Sequence, residues 1–357
     1  MVRGSRSYVL VSWHHKRLPS GMRYHTVGAT DIKVSEIGFG CWTMGGPNWS
    51  LADGSPIGWA DVDEDQVLAG IKAGLDAGVP HFDSADVYGN GRAARMLRDC
   101  LKKLGVSSDG LVIATKVGHF KGTAEHQYEP HQIRRQCEQS LRNLGVDCID
   151  IYYFHHGDFG DDGGFDRGLG NIHDAAGEMR RLVDEGKVRA VGQSAYSDEH
   201  FARAIPVVKP DVLQSWASML QDNFIEPGCA VQQLMDEHGC SFVAFSPLGQ
   251  GLLLDKFDPE NPPEFEPGDI RGQRMQNFDG AALRKLKPKL AKLGERFGTS
   301  IEERSSAACR FVAAHPNVCS VIPGFRNERQ ALCNVRGGTD EPMSADDLAF
   351  CRDVMRA

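Results

Sequence analysis

Short apolar runs rich in Val, Ile, Phe and Tyr alternate along the chain with longer stretches in which apolar residues recur every three or four positions. The runs are EIGFGCW (36–42), VPHFD (79–83), LVIATK (111–116), CIDIYYFH (148–155), VRAVGQS (188–194), DVLQSW (211–216), CSFVAFS (240–246) and NVCSVIP (317–323). The first precedes a helix near 64–77. The next five precede RAARMLRDCLKKL, PHQIRRQCEQSLRNL, HDAAGEMRRLVDEG, DEHFARAI and PGCAVQQLMDEHG. The seventh leads into a long loop and two helical stretches, and the eighth precedes NERQALCNV. Eight β-then-α units of this kind call for parallel pairing with helices outside. They suit a closed (β/α)8 barrel, with an open doubly wound sheet as the alternative, because periodicity alone does not show closure.

No linker divides residues 23–357, which read as one domain. Residues 1–22 are basic and hold only a four-residue apolar run, too short for a signal peptide. They read as a disordered lead, or as a start placed too early with Met22 as the true first residue, so structure is expected from near Tyr24. Two excursions rich in Gly, Pro or Asp, 157–171 and 252–272, fall after the fourth and seventh strands. In a barrel both lie at the C-terminal mouth, where βα loops build active sites.

Composition narrows the function without naming it. With 41% hydrophobic and 25% charged residues this is an ordinary globular chain, and no apolar stretch approaches the roughly 20 residues that span a bilayer. A net charge of −8 argues against nucleic-acid or anionic-membrane partners. Ten scattered cysteines without a CxxC read as reduced thiols in a cytoplasmic protein with no metal site. Oligomeric state stays open.

The chemistry sits at the strand ends. The second strand ends at Asp83 with Tyr88 five residues on, the third at Thr115-Lys116 and the fourth at His155-His156. On one barrel rim, Asp83, Tyr88, Lys116 and His155 converge as a proton donor to a carbonyl. Lys116 is expected to lower the phenol pKa of Tyr88, Asp83 to hold Lys116, and a neutral His155 to aim the substrate oxygen. Such a donor needs a hydride source beside it. Gly324 before a helix starting near Asn327, with Arg326 and Arg329, suits a phosphate. Phe245 and the glycines of AFSPLGQGLL suit a flat ring and a close backbone approach. GNGRAA (89–94) fits a dinucleotide fingerprint, but five residues separate Asp83 from Gly89, so it reads as a helix-start turn.

The order and spacing of HFDSADVYGNG, VIATK, DIYYFHH, EGKVRAVGQS, VLQS, AFSPLGQGLL and VIPGFRN…N resemble the aldo-keto reductases over about residues 24–336. The resemblance implies an α/β fold, a (β/α)8 TIM barrel capped by an N-terminal β-hairpin (YHTVGATDIKVSEIG), binding NADPH, or NADH, without a Rossmann domain. It implies Asp83, Tyr88, Lys116 and His155 as the catalytic tetrad, with Tyr88 as the general acid. Ser194 and Gln214 would meet the nicotinamide carboxamide, Phe245 its ring, and Ser246, Pro247, Leu248, Gly249 and Gly251 the pyrophosphate. Gly324, Phe325, Arg326, Gln330 and Asn334 would meet the adenosine and its phosphate, and Gly40, Trp42 and Asp83 would border the cofactor. Trp42, Phe120, His156 and Trp216 are expected to shape an apolar pocket for a small carbonyl substrate, helped by Trp49, Trp59 and the loop after Leu254. The chain departs from many members at Ala195, where Asn follows the carboxamide serine, and from NADPH-specific ones at Gly324-Phe325 and Gln330. A non-catalytic, nicotinamide-binding redox sensor is the alternative, since it would use the same positions.

Overall fold

In the computed structural model, which describes residues 21–51, 53–160 and 172–357, every one of the eight apolar runs contains a strand. An antiparallel hairpin, β1 (Tyr24–Thr26) and β2 (Lys33–Ser35), comes first. The parallel strands follow as β3 (Phe39–Gly40), β4 (His81–Asp83), β5 (Val112–Val117), β6 (Ile149–Phe154), β7 (Val188–Ser194), β8 (Val212–Trp216), β9 (Ser241–Phe245) and β10 (Val318–Ile322), each paired with its neighbours in chain order. The sheet closes between its ends. Gly40 and Ile37 bridge to Gly324 and Val321, and the Gly38 N–H donates to the Val321 carbonyl at 2.9 Å.

Between the strands run α1 (Glu64–Asp76), α2 (Arg92–Lys103), α3 (Pro130–Leu144), α4 (Ile172–Asp184), α5 (Asp198–Val208) and α6 (Ala230–His238). After β9 come α7 (Gly280–Phe297) and α8 (Ile301–Ala313), and after β10 come α9 (Glu328–Thr339) and α10 (Ala345–Arg356). The starts follow side-chain chemistry. Asp63, Ser197, Asp279 and Asn327 cap α1, α5, α7 and α9, and Ser300 with Glu303 forms a capping box at α8. α10 has no counterpart among the elements expected from the apolar pattern, although Ser344 and Asp347 form the same box there. No helix among the described residues is long and apolar enough to cross a membrane.

The hairpin plugs the bottom of the barrel. Val27, Ile32 and Val34 are buried in one cluster with inward residues of six strands, among them Val112, Ile151, Tyr153 and Val243. Gly28 turns there at φ +48°, and a Cβ would stand 2.3 Å from the Asp211 carbonyl oxygen, so only glycine fits. Ordered packing starts earlier than Tyr24. Met22, assigned to the lead, is buried with its sulfur against Gly338, and Arg23 pairs with Glu36 at 2.5 Å. Residues 1–20 and 161–171 lie outside the described residues, so most of the lead and of the acidic excursion is not placed.

Candidate active site

Because the strands are parallel and in register, their C-terminal ends meet at one mouth. Asp83 ends β4 opposite Ala114, and Lys116 on β5 lies opposite Tyr153 on β6, one residue short of Phe154 and two of His155. Asp83 and Lys116 are each 1% exposed and form an ion pair. Lys116 Nζ also donates to the Ser84 carbonyl at 2.8 Å and lies 3.3 Å from the Tyr88 hydroxyl. The second Asp83 oxygen accepts from Gln214 Nε2 at 2.8 Å. Tyr88, in the turn after β4, stacks on Trp42 with centroids 6.1 Å apart and meets the His155 ring edge-on at 5.9 Å. The expected tetrad is thus one contiguous group.

Its protonation differs from the expectation. Burial, then the negative charge of Asp83, pushes the Tyr88 phenol well above its ordinary value. The Lys116 ammonium, 3.3 Å from the hydroxyl, does not outweigh these two effects. The phenol is neutral at neutral pH. Burial, followed by His119, Lys116 and His156, holds His155 well below its usual range, so its imidazole is neutral as expected. Its Nδ1 is buried without a partner, which leaves Nε2 as the nitrogen open to the mouth.

Above these groups lies a cavity of about 440 Å³. All residues assigned to the cofactor line it except Ser194, Gly249 and Phe325. Ser194 ends β7 beside Gln214, with its hydroxyl buried and unpartnered just behind the lining. The open side of Gly249 faces Leu220, where a Cβ would come within 2.5 Å, away from the cavity. Phe325 is turned into the core, its ring 4.4 Å from that of Phe39, and only its carbonyl serves the mouth by accepting from Thr43 Oγ1 at 2.6 Å.

The substrate wall needs more correction. Trp42 and Trp59 line the cavity, edge to face at 5.4 Å. Phe120, His156 and Trp216 do not line it, and neither does Trp49, which packs on Gly268. The Phe120 carbonyl is tied to Gln132 on α3, and His156 Nε2 lies 2.7 Å from the Gly118 carbonyl oxygen, turned toward that loop. Trp216 lies beneath Tyr196, stacked at 5.3 Å. In their places stand His119, edge-on to His155 at 4.5 Å, and Tyr196. Both follow a strand end by two residues, a signal readable from sequence once the strands are known.

The opposite side is electropositive. Lys256, Arg271, Arg274, Arg326 and Arg329 all line the cavity. Asn334 Nδ2 donates to the Gly324 carbonyl at 3.1 Å, and the Arg326 N–H donates to Gln330 Oε1 at 2.9 Å, so the Gly324 loop is clamped to the start of α9. After β9, Ser246, Gln250 and Asp255 all take positive φ, a concentration of backbone strain at the rim. The excursion then crosses the mouth. Asp269 bridges to Gly58, accepts from the Ala60 N–H at 3.1 Å and holds Arg271, whose guanidinium lies 4.5 Å over the Trp59 ring. An orphaned hydroxyl at Ser194, an aromatic at Phe245 and cations beside Gly324 fit a long, phosphate-bearing ligand with a flat polar ring.

Comparisons with known proteins bear on the family and the fold. The Aldo/keto reductase family profile matches residues 36–355. An aldo-keto reductase, str7, of Strobilurus tenacellus is 31% identical over 90% of this chain and 89% of its own length. A probable voltage-gated potassium channel subunit beta of Oryza sativa subsp. japonica is 26% identical over 88% of this chain and 90% of its own. The glycerol dehydrogenase AKR11B4 of Gluconobacter oxydans shares the fold, with a TM-score of 0.73 over 93% of this chain and 94% of that one at 23% identity. The chain belongs to the aldo/keto reductase family, oxidoreductases that use a nicotinamide cofactor on small carbonyl compounds, and it is built on their (β/α)8 barrel.

Proposed function

We propose that this protein reduces the carbonyl of a small aldehyde or ketone with NADPH, Tyr88 serving as the general acid. The observation that carries the reading is the Tyr88 hydroxyl 3.3 Å from Lys116 Nζ, beside neutral His155, on the floor of an aromatic cavity. Bound reduced nicotinamide supplies the hydride. Ser194 and Gln214 are the residues for its carboxamide, Phe245 for its ring, residues 246–251 for the pyrophosphate, and Gln330 and Asn334 for the adenine. Lys256, exposed, and Arg326, half-buried, both line the cavity without ion pairs among the described residues and favour a ligand with an additional phosphate, hence NADPH over NADH.

A phenol that stays neutral always carries the proton to be given, and an alkoxide is a stronger base than a phenolate, so the transfer runs downhill. His155 Nε2 offers a hydrogen bond to the same oxygen. The phenolate left on Tyr88 accepts a hydrogen bond from Lys116, which Asp83 holds in place.

The test follows the loss of NADPH absorbance with a reactive aromatic aldehyde. Tyr88→Phe is expected to lower kcat by about 10²–10⁴, while NADPH still binds. A second reading, a nicotinamide-binding redox sensor, is favoured by the relative named as a probable potassium channel subunit beta. Tight NADPH binding without turnover across a carbonyl panel would select it, and binding of neither nucleotide would sink both.

A further inference from the structure

The cations of the cavity fall into two groups. Arg329 is paired with Glu302 at 3.0 Å and Arg271 with Asp269 at 2.6 Å, while Lys256, Arg274 and Arg326 make no ion pair among the described residues. Lys256 and Arg326 belong together. Desolvation beside the cavity and the charge of Arg271 hold both below their ordinary range, and Lys256 also feels Arg326. That station adjoins Gly324 and the start of α9, where the reading above puts the cofactor's phosphates.

Arg274 stands apart. It is exposed at the rim of the cavity that it lines together with Tyr196, and the guanidinium and the Tyr196 phenol act on each other. Tyr196 lies at the reaction end, edge-on to Phe245 at 6.3 Å and stacked over Trp216. Arg274 sits in the one-turn segments Ile270–Asn277, at a break in helical geometry (φ −112°, ψ 24°), on the strap that Asp269 fastens to the loop after β3. The buried Asp269 thus anchors the backbone of the strap that carries Arg274. Among the described residues lining the cavity, the one carboxylate, Asp83, is paired with Lys116. Trp42, Trp59 and Tyr196 are aromatic, and His119 is neutral, its imidazole pushed down to about 4 by burial.

We propose that Arg274 is the specificity residue for an anionic group on the substrate: the preferred carbonyl compounds carry a carboxylate, held by the Arg274 guanidinium, at the end of the molecule away from the carbonyl. The inference rests on the reductase reading and adds the substrate class. A guanidinium without a partner at the mouth gains most from a carboxylate, which it meets with two parallel donors. Lys256 and Arg326 would be occupied by phosphate at the far end, which leaves Arg274 as the cation available to substrate.

The experiment compares 4-carboxybenzaldehyde with 4-isopropylbenzaldehyde, whose para substituents are alike in shape and weak in electronic effect but different in charge, in wild type, Arg274→Met and Arg274→Lys, with NADPH affinity measured by fluorescence titration. Wild type is expected to favour the carboxylate, and the ratio of the two kcat/KM values is expected to fall about tenfold in Arg274→Met, mostly through KM. Arg274→Lys should recover part of the ratio. An unchanged ratio, or a fall in NADPH affinity that accounts for the loss with both aldehydes, would overturn the assignment while leaving the reductase reading intact. Failure of wild type to turn over either aldehyde, with NADPH bound, would overturn both.

Discussion

Replacing Lys116 by Met removes one half of an ion pair that the barrel seals from water. The side chains of Lys116 and Asp83 are 1% and 2% exposed, and Lys116 contacts Asp83, the Ser84 carbonyl and the Tyr88 hydroxyl. Without the ammonium, the Asp83 carboxylate keeps one donor, Gln214 Nε2 at 2.8 Å. Breaking a buried pair from one side costs about 3–5 kcal/mol, and the surviving hydrogen bond places this case near the lower end, about 3 kcal/mol. Asp83→Asn in the same chain removes the stranded charge, so the double variant should recover about 2 kcal/mol of that loss. Urea unfolding at pH 7, read by tryptophan fluorescence, of wild type, both single variants and the double variant gives the coupling energy. Activity should fall in all three variants. Recovery of stability without recovery of turnover would separate the pair's structural role from its effect on Tyr88. A loss below about 1 kcal/mol for Lys116→Met, or single effects that add within about 0.5 kcal/mol, would refute the reasoning, because the pair would then behave as a solvated one.

Two stability predictions concern residues the chemistry does not use. Asp86 is buried with neither carboxylate oxygen in a regular hydrogen bond, and burial pushes its carboxyl up to about 7. The unfolded chain therefore releases this proton first as the pH rises. Destabilisation grows from near pH 4 and levels off above about pH 7, at up to about 4 kcal/mol. Asp86→Asn should raise the denaturation midpoint at pH 8 and change it little at pH 4, and an equal change at both would refute the burial argument. At Gly74 in α1 a Cβ would stand 1.9 Å from Phe39 Cε2, inside a fully buried ring contact. Gly74→Ala should cost about 3 kcal/mol in overpacking against about 1 kcal/mol gained in helix propensity, a net loss near 2 kcal/mol. A raised melting temperature would contradict it.

What the sequence determined by itself is local. Strands buried on both faces must be apolar along their length, so VIATK or AFS reads as a strand without any knowledge of its neighbours. Hydroxyl and carboxyl caps mark the helix starts, and the polar residues that close each run, Asp83, Lys116 and His155, are visible because they interrupt it. What only the tertiary structure decided depends on direction and distance. Closure of the sheet required Gly40 to meet Gly324 across nearly 300 residues of chain. Loop residues next to one another point to different places, so His119 enters the cavity while Phe120 does not, and Tyr196 covers the Trp216 expected to line the pocket. The strap bearing Lys256, Arg271 and Arg274 has no apolar period to announce which side chains it turns inward. The protonation of Tyr88 was equally hidden, because it reflects burial and the nearby charge of Asp83, quantities that exist only once the chain has folded.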